Sequence, residues 1–317
     1  MGEIFTSGDF SFEYVENWGL ELSDYEDSEW GTRKVADVGI DAEDNVYLLT
    51  RSCRPIIKAS PEGHYLTHWE GKYFSRPHSI SFNEKHEIYI VDDDGETVQR
   101  FDREGNLLMQ IGERGVASST GVVKKDYRTV KQAAGPFHFP TGVSEAPNGE
   151  LYVSDGYGNA RVHRFTHHGK LIQSWGTPGI LPGQFFLPHG ILATEDRVYV
   201  CDRENNRIQL FDRDGKFIEE WKNIMRPSTI RIGPEGLLYV CECKRCDIFD
   251  AAPSTLSIMD LKGNVLCRID NRHGALPFAQ YHAAHGLAVD SKGDVYIGEV
   301  GNPPKGHLGV KKYRRIR

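Results

Sequence analysis

No apolar run in the chain exceeds five residues, far short of the roughly 20 that a helix needs to cross a bilayer. The first ten residues, MGEIFTSGDF, lack the basic start and the apolar stretch of a secretory signal. Positive charge is not in excess either. Against 45 Asp and Glu stand 38 Lys and Arg, and the net charge of −7 argues against a general nucleic-acid binder. Cysteine is sparse, six in 317 residues, and without a secretory signal these read as reduced thiols of a cytoplasmic protein. Cys241, Cys243 and Cys246 form a C-x-C-x-x-C cluster, yet no second pair completes a zinc module. Buried strand thiols are the plainer account. What the chain does have is 33 Gly, 15 Pro, 39% hydrophobic and 26% charged residues, a globular composition rather than a disordered, coiled-coil or collagen-like one.

A length of 317 leaves room for about two domains, but self-similarity points to one. Six segments share an apolar strand, a tight turn and a second strand ending in a polar or acidic residue. They begin at Val35, Arg76, Phe139, Leu187, Arg226 and Ala283. Tyrosine recurs in the second strand, at Tyr47, Tyr89, Tyr152, Tyr199, Tyr239 and Tyr296, between β-branched or leucine neighbours. Turns such as PNG, PEG and SKGD separate the strands. A second hairpin follows, clearest in FDREGNLLMQIG, FTHHGKLIQSWG and FDRDGKFIEEW. Four strands per unit, repeating every roughly 40–60 residues, predict an all-β, six-bladed propeller over residues 1–317. The last unit has one strand, VKKYRRI, after its first hairpin. The N-terminal FEYVENWG matches the fourth-strand pattern LIQSWG and is expected to complete it. Insertions around 114–136, 246–254 and 271–282 are candidate loops on one face.

One column of the repeat carries chemistry. Aligned on the innermost strand, its occupants read Val38, His78, Thr141, His189, Ser228 and His285. Histidine stands in the second, fourth and sixth units, which in a six-fold ring lie about 120° apart. Three imidazoles converging on one mouth would make a trigonal base for zinc or a similar divalent ion. Hydrogen-bonding histidines at strand starts are the alternative. Strands one and two run antiparallel, so the ends of the second strands share that mouth. Asp92, Asp155, Asp202 and Glu242 stand there, the aspartates as structural acceptors for loop N–H groups. Arg51 replaces the usual acid in its unit and suits a carboxylate or an oxyanion. Arg203 could do the same or pair with Glu204 or Asp202. Tyr157, in the Gly-flanked DGYGN, could project into the mouth, where a metal would lower its phenol pKa for acid–base work; a packing tyrosine is the alternative.

The phrases Tyr-Val-x-Asp and NRIQLFD resemble NHL-type repeats over nearly the whole chain. DGYGNAR, PHGI and DRENNRIQ go further and resemble peptidyl-α-hydroxyglycine α-amidating lyase, a six-bladed propeller with a catalytic zinc. The resemblance implies zinc on His78, His189 and His285, an active-site tyrosine at Tyr157, and active-site arginines at Arg51 and Arg203. It also has departures. The positions of the family's two disulfides hold His138 with Gly158 and Tyr199 with Leu210, and a structural-calcium ligand is replaced by Gly286, which argues against calcium. A methionine of the family's substrate pocket is Ala283, so that pocket is expected to differ.

The implied reaction cleaves a carbinolamide, N–CH(OH)–COO⁻, to an amide and glyoxylate. The implied partner is a small or peptide-like substrate bearing a carboxylate, with no membrane or nucleic acid. A propeller hydrolase of lactonase type would use the same mouth to activate water, and a non-enzymatic NHL scaffold would use a rim surface instead.

Overall fold

Apolar residues without interruption make the second strand of every repeat a fully buried one. Val198–Asp202 and Leu238–Glu242 have no exposed residue, whereas the outermost strands Leu107–Ile111 and Phe217–Trp221 present Leu108 and Ile218 to solvent. In the computed structural model, residues 4–25, 34–243, 254–269, 284–301 and 308–317 are described. They form six antiparallel sheets, each built outward from an inner strand, and a short parallel ladder of Thr177–Pro178 with Gln184–Phe185. The inner strands are Val35–Ile40, Pro77–Phe82, Pro140–Glu145, Pro188–Ala193, Pro227–Ile232 and Ala284–Val289. The fold is the expected six-bladed β-propeller. Among the described residues the only helical pieces are short 3-10 turns, and no helix is long and apolar enough to cross a membrane.

Two compact units are present, Phe74–Pro227 and Met1–Tyr73 with Ser228–Arg317. In the first unit Phe137, Val143, Val153 and Phe165 fill the space between the second and third sheets. Tyr152, Phe185, Val200 and Phe211 do the same between the third and fourth. In the other unit, Phe12, Tyr239, Leu256 and Tyr313 pack the fifth sheet on the sixth. Trp18, Val38, Leu48 and Tyr296 pack the sixth on the first. At about 25 cal/mol per Å² of buried apolar surface, these interfaces are the main stabilising contribution.

The N-terminal segment does complete the sixth sheet, with two differences from expectation. Its strand is Phe10–Tyr14, paired antiparallel with Val310–Ile316, and Ile4–Ser7 adds a fifth strand outside it. Trp18 therefore falls beyond the strand rather than at its end. Left-handed backbone at Asn17 (φ 58°) breaks the extended run. The indole instead meets Tyr296 edge-on at 5.3 Å and donates to the Pro61 carbonyl at 2.9 Å.

Candidate functional site

The strand register revises the histidine column at one place and sharpens it elsewhere. Pro77 pairs with Asp92, Pro140 with Asp155, Ala284 with Glu299 and Val35 with Thr50, each at the start of an inner strand. The residue after each is the equivalent one: His78, Thr141, His285 and, in the first sheet, Ala36 rather than Val38. The same register puts Thr50, not Arg51, at the usual acidic position. Arg51 is one residue further on, the rank that Arg203 holds after Asp202. The two arginines are thus equivalents of each other in separate sheets.

The terminal acids are structural, as expected. Asp92 accepts from the N–H groups of Ser75 and Arg76 at 2.6 Å, Asp155 from His138, and Asp202 from Phe186 at 2.8 Å. Each carboxylate ties down the loop that leads into its own inner strand.

In Phe74–Pro227, His78 and His189 are buried with ring centroids 4.9 Å apart. His78 donates from Nδ1 to the Thr141 carbonyl, 2.7 Å away on the inner strand of the next sheet. A carbonyl can only accept, so the proton is fixed on Nδ1 and the Nε2 lone pair is left to face inward. The Tyr157 hydroxyl lies 3.3 Å from His78 Nε2 and 3.1 Å from His189 Nε2, its ring edge-on to both imidazoles. Two glycines make that placement possible. A Cβ on Gly156 would lie 2.0 Å from the Pro188 carbonyl oxygen, and one on Gly158 would strike the His138 ring at 2.6 Å.

Arg203 opens a single 3-10 turn after the second strand of the fourth sheet and is 7% exposed. Of the two expected ion-pair partners it meets Glu204. Its Nε donates to Glu204 at 3.0 Å, and its Nη1 reaches the Tyr157 oxygen at 3.5 Å. Glu204 is shared with Arg226. Asp202 pairs with Arg207 instead, at 2.8 Å.

In the other unit His285 is buried and donates from Nδ1 to the Ala36 carbonyl at 2.7 Å. This is the His78 arrangement repeated, down to the rank of the accepting residue. Arg51 follows the strand Val46–Thr50 in a turn held by the Thr50 and Ser52 hydroxyls, both donating to the Arg54 carbonyl. Gly286 is required where it stands, because a Cβ there would lie 2.3 Å from the Asp37 Cα. The Asp37 carboxylate is already matched by Arg231 at 2.9 Å. The pairs at the family's disulfide positions are spatial neighbours without sulfur. Gly158 N–H donates to the His138 carbonyl, and Tyr199 and Leu210 are cross-strand partners. Cys241 is fully buried, and burial pushes its thiol well above the ordinary value, which disfavours a thiolate ligand. Cys246 and Ala283, and the expected loops at 246–253 and 271–282, lie outside the described residues.

The NHL repeat family matches residues 137–165. The matched segment spans the first three strands of the third sheet and includes Tyr157. Over 305 residues the chain is 28% identical to NHL repeat-containing protein 3 of Mus musculus, covering 89% of this chain and 81% of that one. It is 31% identical over 145 residues to a probable peptidyl-alpha-hydroxyglycine alpha-amidating lyase of Caenorhabditis elegans, covering 44% of this chain and 37% of the relative. Among solved structures, a gluconolactonase from Xanthomonas campestris shares the fold, with a TM-score of 0.61 at 12% identity over 98% of this chain and 91% of that one.

The loop leading into this NHL repeat contributes a residue that sequence patterning did not single out. Lys124 and Lys125 are both left-handed, with φ of 51° and 58°, and the bend turns Lys125 inward. Its ammonium lies 4.5 Å over the Phe139 ring and 5.7 Å over the Tyr157 ring, and it pairs with Asp93 at 3.1 Å and with Asp94. Two consecutive left-handed lysines leave no signature in composition.

Beside this cluster Glu96 accepts from the Phe139 N–H at 2.7 Å. Burial raises its carboxyl to about 8, with Asp155 and Asp93 adding to the rise and Lys125 opposing it. The folded value exceeds the unfolded one of 4.5, so the folded protein holds a proton across that window that the unfolded chain releases. Stability therefore falls as pH rises from 4.5 to 8. Glu96→Gln keeps an acceptor for Phe139 and removes the titration. Urea unfolding should show the variant more stable than wild type at pH 9, on the order of a few kcal/mol, and little different at pH 4.

Proposed function

We propose that the chain is a metal-dependent carbon–nitrogen lyase, and that His78, His189 and His285 hold one divalent ion between them. In a six-bladed propeller, equivalent residues of alternate blades aim at one place on the axis. The donor set fits zinc or a similar ion. The imidazoles are buried, and two of them are fixed as Nδ1–H tautomers by a backbone carbonyl, the outer-sphere arrangement that presents Nε2 to a metal. The observation that carries the reading is the Tyr157 hydroxyl, set against the Nε2 atoms of His78 and His189 with Arg203 beside it. The name of the C. elegans relative gives the reaction class, an α-hydroxyglycine lyase.

The substrate class is an N-substituted α-hydroxyglycine, N–CH(OH)–COO⁻. A bound divalent ion would supply a Lewis acid for the substrate hydroxyl. Arg203 donates toward the carboxylate, and Arg51, its equivalent in rank, provides a second guanidinium for that anion. The Tyr157 oxygen takes the hydroxyl proton as the carbon–oxygen double bond forms. The C–N electron pair leaves with nitrogen, which takes that same proton back from the Tyr157 oxygen, giving an amide and glyoxylate. The Arg203 guanidinium stands 3.5 Å from the tyrosine oxygen, and the Lys125 ammonium 5.7 Å from the ring centroid, as positive charge beside the reacting groups.

Tyr157→Phe removes the proton acceptor but no metal ligand. Glyoxylate release should fall about 10²–10⁴-fold with metal content unchanged. A variant retaining most of its turnover would remove Tyr157 from the chemistry.

A further inference from the structure

We propose that a basic cleft at the opposite end of the sixth sheet from His285 binds a small, multiply charged phosphate-type anion. The cleft holds about 580 Å³ within the unit Met1–Tyr73 with Ser228–Arg317. His285 stands at the start of the strand Ala284–Val289, whereas Lys292 and Asp294 lie in the turn beyond its end. The cleft is therefore separate from the candidate metal site, and the inference does not depend on the lyase reading.

Its charge is opposite in sign to that of the chain. Lys292, Lys312, Arg314, Arg315 and Arg317 line it, against Asp294 and Glu62, while the whole protein carries −7. Two of the five cations are committed. Lys312 pairs with Asp294 at 3.1 Å and donates to the Pro61 carbonyl, and Arg314 pairs with Glu13 at 3.1 Å. The other three have no carboxylate within ion-pair distance among the described residues. Arg315 is pre-organised, with its guanidinium 4.1 Å over the Phe10 ring and 5.1 Å over Phe12. Its Nη2 donates to the Asp9 carbonyl at 3.3 Å, and its Nη1 has no partner among the described residues. Arg317 donates to the Lys292 carbonyl at 3.2 Å, which brings those two cations to one side of the cleft.

Three uncommitted cations around one cavity match an anion of several charges and many acceptor oxygens better than a single carboxylate. Val15 and Trp18 form an apolar wall, so the phosphates could be inorganic or the tail of a molecule with an apolar body. The test is calorimetric titration of the full chain with pyrophosphate and, separately, with ADP, both without added metal. Saturable binding of pyrophosphate is expected, weakened at least about tenfold in Arg315→Gln/Arg317→Gln and on raising salt from about 0.05 to 0.5 M. Equal affinity for the two probes assigns the site to inorganic phosphates, and tighter ADP binding assigns it to a phosphate tail on a larger body. Should the double variant not fold, Lys292→Gln, at an exposed turn, is expected to weaken binding in the same direction. Absence of binding of both probes at millimolar concentration, or variants that bind as wild type does, would overturn the proposal.

Discussion

His189→Ala is expected to leave the purified protein without its metal ion and to lower glyoxylate release by about 10³-fold or more. The size follows from the role proposed. A Lewis acid at the reacting oxygen contributes several kcal/mol to the barrier, and each 1.36 kcal/mol is about a factor of ten. Three protein ligands are also the fewest that keep an ion at a catalytic site, so losing one affects occupancy as well as chemistry. His285→Ala should behave the same way although it sits in the other unit, because the three side chains are proposed to share one ion. Ala has no polar atom, so the carbonyls of Thr141 or Ala36 lose a donor when His78 or His285 is replaced, at about 1 kcal/mol each. That effect is too small to unfold the chain, and melting curves recorded beside metal content separate loss of ligand from loss of fold.

The second large effect is on stability. Phe12 is fully buried between the fifth and sixth sheets, among Tyr239, Leu256 and Tyr313, so Phe12→Ala should destabilise by about 3–5 kcal/mol. Deleting residues 1–14 goes further. It strips both N-terminal strands from Val310–Ile316, exposes the hydrogen-bonding edge of that strand and removes Phe5, Phe10 and Phe12 together, uncovering the Tyr239, Leu256 and Tyr313 side chains they pack on. An uncovered edge with an apolar face is an aggregation site, and the truncated chain should precipitate or lose its cooperative thermal transition. A soluble truncation melting where wild type does would show that the sixth sheet does not need these strands.

How much of this was legible in the sequence depends on whether the deciding interaction is local. The recurring tyrosines, the turns and the unbroken apolar second strands are local, and they gave the blade count and the inner strands directly. The histidine column was legible because one register repeats with one spacing from the turn to the strand start. In the first sheet VADVGID offers neither His nor Pro to anchor the alignment, and strand pairing gives Ala36 the position that the sequence pattern assigns to Val38. A one-residue ambiguity at the end of the next strand puts Arg51 at the acidic rank that Thr50 occupies. Tyr157 is legible as a candidate because the Gly-flanked turn DGYGN lets its ring project, although what the two glycines approach, Pro188 and His138, only the fold can say. Lys125 and Arg315 were not foreseen. The first depends on consecutive left-handed residues in a loop, the second on an aromatic platform supplied by a strand some 300 residues earlier in the chain.

The most direct test of the central claim is glyoxylate release from α-hydroxyhippurate, measured on the purified protein before and after chelation. The account predicts glyoxylate and benzamide in equal amounts, loss of turnover with the metal and its return when zinc is added back. Metal-loaded protein that leaves α-hydroxyhippurate intact while opening a lactone ring would contradict it.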